Sequence, residues 1–231
     1  MIRIVCFDLD DTLWDSGPAI VRAESSMFEW LSDRVPAFSK IDTQIMRDRA
    51  MNIRMKRPDI AHDFTLTRLE TLRSLLLEQE QDPGLADDAV AHFITERSRV
   101  DMYEETLSVL NELVGKYALV AVTNGNANLD TAGVAHLFDS YFSPSETGVQ
   151  KPDPRMFGPI FDRYTAKVDE IVHVGDHPYH DVEAAHRASV RSVWLNREAR
   201  AWPQEYQPPT REIKNLAELP GTLEKLVTGN S

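Results

Sequence analysis

The 231-residue chain is 42% hydrophobic and 27% charged, long enough for one large α/β domain or a core domain with a smaller insert. Its formal net charge of −12 argues against nucleic acid or an anionic membrane as the main partner. No apolar run approaches the roughly 18–20 residues of a membrane helix, no leader precedes the first strand, and the single cysteine, Cys6, cannot form an internal disulfide; the expected location is cytoplasmic.

The run from Ile2 to Phe7 is apolar and rich in β-branched residues, so it reads as a buried strand. It stops at Asp8, Asp10 and Asp11. Folding alone gives no reason to crowd three carboxylates there, whereas a divalent cation with oxygen ligands does. Alternate side chains of an extended chain point the same way. Asp8 and Asp10 therefore project together past the carboxyl end of the strand, where open α/β sheets keep their ligands. Such a pair suits nucleophilic catalysis with an acid/base partner; a solvated turn or helix cap is the plainer alternative.

From Asp15 to about Met102 the texture is helical, with apolar residues at Ile20, Ala23, Met27 and Leu31, then Ile41, Ile45 and Met46, then Leu69, Leu72 and Leu76, then Val90, Phe93 and Ile94. Prolines near 36, 58 and 83 divide it into about four helices. Within it Arg47, Arg49, Arg54, Lys56 and Arg57 face only Asp48, and His62, Asp63 and Arg68 follow. This stretch is either an anion-recognising face or a solvated helix surface with a capping turn.

A helix is expected around Glu104–Lys116, then a buried strand over 117–122 that ends in Thr123-Asn124-Gly125-Asn126. A hydroxyl, an amide and exposed backbone N–H groups at a strand end can hold a phosphate oxygen, although strands often end in such turns. Phe138–Phe142 reads as a short strand, and Lys151 follows in a Pro-bounded loop. A third strong strand, Ile171–Gly175, ends at Asp176, while Asp181 can be read as a helix N-cap. His173, His177 and His180 lack the spacing of a zinc site. Val190–Leu195 is the last clear strand, and the remainder reads as loops and a terminal helix.

Taken together, Asp-Leu-Asp-Asp-Thr at 8–12, Thr-Asn at 123–124, Lys-Pro at 151–152 and Gly-Asp with a further Asp at 175–181 resemble the four motifs of the haloacid dehalogenase superfamily of hydrolases. The resemblance implies a three-layer, Rossmann-like α/β core with a central parallel sheet (residues 1–14 and 103–231) and an inserted all-helical cap (15–102). By the family's pattern Asp8 is the nucleophile and Asp10 the general acid/base. Thr123 and Lys151 hold the transferring phosphoryl group, beside Asn124 and Gly125. Magnesium is bound by Asp8, Asp176 and the backbone carbonyl of Asp10, and Asp181 supports Lys151 or a metal-bound water. Family members that cleave carbon–halogen bonds lack the aspartate two residues after the nucleophile. The resemblance therefore implies a magnesium-dependent phosphatase of a small phosphorylated metabolite. A phosphomutase is the alternative, with a hydrolytic dehalogenase or a non-catalytic phosphate-binding protein behind it. The runs Phe-Asp-Leu-Asp-Asp-Thr-Leu-Trp, Val-Thr-Asn-Gly-Asn-Ala and Pro58–Asp63 are similar to a bacterial branch acting on flavin mononucleotide and on a ribitylamino-uracil phosphate. In that branch Arg54 and His62 would face the substrate. The sequence carries no signal of oligomeric state.

Overall fold

The computed structural model describes residues 1–228. Six strands form one parallel sheet in the order β3-β2-β1-β4-β5-β6. They are β1 (Ile4–Phe7), β2 (Ala118–Val122), β3 (Ser140–Phe142), β4 (Ile171–Gly175), β5 (Arg191–Leu195) and β6 (Arg211–Ile213). A parallel strand covered on both faces needs apolar residues throughout rather than in alternation, and all of β1 and β4 is buried. Ile4 and Cys6 pack with Val120, Val122, Phe157, Ile160 and Ala185, so Val5 and Phe7 face the opposite layer. Cys6 is a buried free thiol.

Between β1 and β2 run α1 (Ser16–Arg34), α2 (Thr43–Lys56), α3 (Phe64–Glu78), α4 (Leu85–Arg97) and α5 (Thr106–Leu113). Later come α6 (Pro144–Thr147), α7 (Gly158–Tyr164), α8 (Ala184–Arg187) and α9 (Leu219–Thr228). The chain divides into two compact units, one of residues 1–15, 101–125 and 134 onward, the other of residues 16–100 and 126–133. The first holds the sheet. The second is helical, with Ala23, Met27, Leu31, Phe38, Leu72, Leu76 and Phe93 in its core. Asp42 and Asp63 start its second and third helices by accepting backbone N–H bonds, from Ile45 in one case and from Thr65 and Leu66 in the other, which satisfies donors that a helix leaves unpaired. Segment 126–133 joins this unit through Asn126 Nδ2 to Thr65 Oγ1 at 3.0 Å and Asn128 N to Ser98 Oγ at 2.8 Å. Among the described residues no helix is long and apolar enough to cross a membrane.

Four local expectations are corrected. The helix expected over 104–116 is confined to 106–113, because Val114 is extended and Gly115 has φ +78°, a turn that glycine makes without steric penalty. Ile45 is exposed rather than part of the helix stripe. β6 falls where loops were expected. Three residues long and carrying Arg211 and Glu212, it is a short charged edge strand, the form that discourages further pairing. Asp181 does not cap the helical turn beginning at Pro178: the His177 ring does, with Nδ1 accepting from Tyr179 N and His180 N at 3.1 and 3.2 Å.

Candidate active site

β1 is flanked by β2 and β4, and the chain proceeds outward on both sides from it. This is a point where strand order reverses, and in parallel sheets it opens a crevice at the carboxyl ends. Asp8 leaves β1 with its N–H on Val174 O at 2.9 Å, so the neighbouring strand fixes the start of the loop. Its carboxylate is nearly buried and meets Lys151, whose side chain is 1% exposed.

Lys151 spends all three ammonium hydrogens. Nζ donates to Asp8 Oδ1 at 2.6 Å, to Asp181 Oδ1 at 2.6 Å and to Val122 O at 2.8 Å. Asp181 also accepts from His173 Nε2 at 2.9 Å and from His177 N at 2.9 Å. Burial lowers the basicity of His173, and opposite a carboxylate its Nε2 is the donor of this pair. A Cβ at position 175 would collide with the Asp181 carboxyl, so Gly175 is what lets Asp181 reach Lys151.

The charges pull against one another. Burial pushes the Asp8 carboxyl well above the usual range, against the opposing pull of Lys151, and the Asp181 and Asp176 charges push the same way. Asp176 is pushed up to about 7, first by burial and then by the charges of Asp181 and Asp11. Burial also works against the Asp181 charge, but Lys151 and His173 more than reverse it and hold that carboxyl below its ordinary value. Burial would strip the Lys151 proton, yet the two carboxylates hold it above the ordinary lysine value.

Asp8, Asp176 and Asp181 each offer an oxygen, and these atoms all lie within 4.8 Å of one another. Three carboxylates against one ammonium leave a formal excess of two negative charges when all are ionised. An all-oxygen donor set with that excess fits a hard divalent cation such as magnesium. No histidine belongs to this group, and it is the only such group among the described residues. The Asp10 side chain lies outside it, with Oδ1 accepting from Trp14 Nε1 at 2.8 Å.

Thr123 ends β2 and is buried; its Oγ1 accepts the Gly125 N–H at 2.9 Å. With that lone pair engaged, the hydroxyl proton is available to a ligand. The Asn124 side-chain amide clamps the backbone of Lys151, donating to its O at 2.9 Å and accepting from its N at 2.7 Å. The Gly125 N–H is already used by Thr123.

Arg54 and His62 belong to the helical unit. Arg54 lies over the Phe64 ring at 4.9 Å. Two members of the basic stretch are neutralised there, Arg49 by Glu78 at 2.6 Å and Arg57 by Asp59 at 2.7 Å.

Residues outside the motifs also shape the site. Trp194 Nε1 donates to Asp176 O at 2.7 Å. Arg197 donates to Glu105 Oε1 at 2.6 Å and Thr12 O at 3.0 Å, and its guanidinium lies over Tyr103 at 3.8 Å. The only sequence signal for this brace was a polar Asn-Arg pair after the β5 strand, another carboxyl end.

A family model described as haloacid dehalogenase-like hydrolase matches residues 2–189. The 5-amino-6-(5-phospho-D-ribitylamino)uracil phosphatase YigB of Escherichia coli (strain K12) is 30% identical over 226 residues, covering 94% of each chain. Phosphoserine phosphatase of Thermus thermophilus is 34% identical over 150 residues, 62% of this chain and 60% of its own. A crystal structure of a 2-haloacid dehalogenase from Pseudomonas syringae pv. Tomato DC3000 superposes with a TM-score of 0.93 at 33% identity, covering 97% of this chain and 99% of that one. Similar chains thus carry the names of two different chemistries.

Proposed function

The chain belongs to the haloacid dehalogenase-like hydrolases, and we propose that within them it is a magnesium-dependent phosphatase of small phosphate monoesters. One observation carries the choice between phosphatase and dehalogenase: three carboxylates converge within 4.8 Å of one another, and a single lysine pairs with two of them. A site that displaces halide from a 2-haloacid must receive a carboxylate substrate, and uncompensated acidic side chains would repel it. With a divalent cation the same acidic set favours a phosphoryl group, whose oxygens the metal and Lys151 then neutralise together.

In this reading Asp8 attacks phosphorus, the bond to the leaving oxygen breaks, and that oxygen takes a proton from Asp10. The resulting aspartyl phosphate is hydrolysed by a water whose proton goes back to Asp10, which restores Asp8 and releases orthophosphate. Thr123 donates its hydroxyl hydrogen to a phosphoryl oxygen. Lys151 contributes charge and fixes the Asp8 rotamer, and Asp181 fixes Lys151. Asp8, Asp176 and the Asp10 carbonyl would hold magnesium, which supplies positive charge against the phosphoryl oxygens when bound. The helical unit, expected over 15–102 and compact over 16–100 with 126–133, acts as the cap that reads the leaving group through Arg54 and His62. Flavin mononucleotide or a riboflavin-pathway phosphate is the proposed substrate, supported by the likeness to the E. coli ribitylamino-uracil phosphatase.

The test is phosphate release from flavin mononucleotide, a ribitylamino-uracil phosphate, phosphoserine, sugar phosphates and nucleotides, with halide release from 2-haloacids alongside. Each is run with magnesium, with chelator, and with Asp8→Asn. Phosphate release that needs both the metal and Asp8 is the expected result, and the order of kcat/KM names the substrate. Halide release without metal, and no phosphate release, would overturn the reading.

A further inference from the structure

We propose that Trp14 is the positioning residue of the general acid/base, with its indole N–H deciding which oxygen of Asp10 carries the transferable proton. The inference rests on the phosphatase reading above and adds a residue outside the four motifs.

Trp14 is fully buried, and a buried indole needs an acceptor for its one N–H. Ordinary packing would be satisfied by any carbonyl nearby. Here the acceptor is the side chain of Asp10, at 2.8 Å from Nε1 to Oδ1.

The loop is built so that this contact cannot drift. Asp11 takes a left-handed turn at φ 62°, a conformation Asp tolerates better than most residues, and its N–H closes back on Trp14 O at 2.8 Å. Leu13 O accepts from Tyr103 N at 3.1 Å and from Thr106 Oγ1 at 2.8 Å. Arg197 holds Thr12 O at 3.0 Å. Consecutive carbonyls of the loop are thus pinned from outside while the indole pins the carboxylate from within.

An indole N–H donates and never accepts. The better acceptor of a carboxylic acid is its carbonyl oxygen, so the N–H keeps Oδ1 as the C=O and leaves the acidic hydrogen on Oδ2. When the phosphorus–oxygen bond breaks, its electron pair stays on the leaving oxygen, which takes the hydrogen from Oδ2. Asp10 is then a carboxylate whose Oδ1 the same N–H stabilises, and Oδ2 recovers a hydrogen from the attacking water. One fixed donor serves both half-reactions.

Trp14→Phe keeps the ring and deletes the N–H. The readout is kcat/KM, which reports the first phosphoryl transfer, for propyl phosphate and for p-nitrophenyl phosphate. An alkoxide needs a proton to leave and p-nitrophenolate does not. General acid catalysis supplies about 10²–10⁴-fold, and a misplaced acid should forfeit about 10- to 100-fold of it. Propyl phosphate is expected to lose that much, and the aryl ester less than about threefold. Equal losses on both esters would reduce Trp14 to packing, and no loss on either would remove it from the reaction; each overturns the inference. Failure of the wild-type protein on both esters would overturn the phosphatase reading itself, a separable outcome.

A second measurement leaves Trp14 intact. The chain has 4 tryptophans, and Asp10→Asn should move one indole N–H resonance, the one that donates to Oδ1. No displaced resonance would show that the hydrogen bond is not made.

Discussion

Removing the Lys151 charge tests the electrostatic core of the site most directly. Lys151→Met keeps the length of the stem and deletes the ammonium, leaving Asp8 Oδ1, Asp181 Oδ1 and Val122 O without their 2.6, 2.6 and 2.8 Å donor. Breaking a buried ion pair from one side costs about 3–5 kcal/mol. For a chain of this size about 2–4 °C accompanies each kcal/mol, so the melting temperature in chelator at pH 8 should fall by about 6–20 °C. The sign with pH is fixed by the shifts. In the wild type Asp181 is held below its ordinary value, so it stabilises the fold above the unfolded carboxyl range and loses that effect only as pH falls through its folded value. Without the ammonium, burial and mutual repulsion raise both carboxyls, and protonating them restores stability as pH falls. The deficit should therefore be largest at pH 8 and clearly smaller at pH 5.5, and magnesium at pH 8 should narrow it. Scanning calorimetry with and without chelator reads all three. A deficit below about 1 kcal/mol, or one that does not change between the two pH values, would refute the account of Lys151 as the counter-charge of two buried carboxylates.

Three further outcomes are expected. Asp176 sits near 7 in the metal-free protein, so magnesium should displace a proton from it below that pH. The apparent affinity should weaken as pH falls there, with titration calorimetry finding more proton release at pH 6 than at pH 8.5; equal release at both is the contrary result. Arg197→Ala removes charged hydrogen bonds worth about 1.5–3 kcal/mol each at most and should lower the melting temperature by several degrees, a loss that Glu105→Gln in the same chain should not simply add to. Arg54→Ala and His62→Ala should raise KM for the natural substrate more than for a minimal aryl phosphate, and equal effects on both would remove the helical unit from recognition.

The parallel sheet was legible because its inner strands are unbroken apolar runs, and the polar residues at their ends stood out against them. Asp8, Asp176 and Asp181 fall at or after such ends, Lys151 falls in the loop beyond the edge strand β3 and α6, and they meet in space. What was not legible depended on partners far along the chain. Local sequence alone leaves Asp181 readable as a helix cap; its support of Lys151, 30 residues away, was legible only through the four-motif resemblance. The Asn124 side chain likewise gave no local sign of its partner, the Lys151 backbone 27 residues on. β6 escaped because three residues with two charges carry no apolar signal and gain their pairing only from the edge of β5. The brace through Trp194 and Arg197 left only the faint mark of an Asn-Arg pair after β5, because a tryptophan in a strand and an arginine after it are ordinary packing and surface residues until their acceptors are known.

The position of β1 at the centre of the sheet also governs how the protein is born. Its two flanking strands are made much later than β1 itself, and Asp8 meets Lys151 across 143 residues while Thr12 meets Asp176 across 164. At about 5–20 residues per second of synthesis, the nucleophile's strand waits about 6–20 s with both edges open until β2 is made, and longer until β4 covers the other edge. By then the helical segments 16–100 have already emerged and can begin to pack locally. Sequence-distant pairing of this kind slows folding and exposes unpaired strand edges to association. The strand that bears the chemistry is therefore also the one most in need of shelter on the nascent chain.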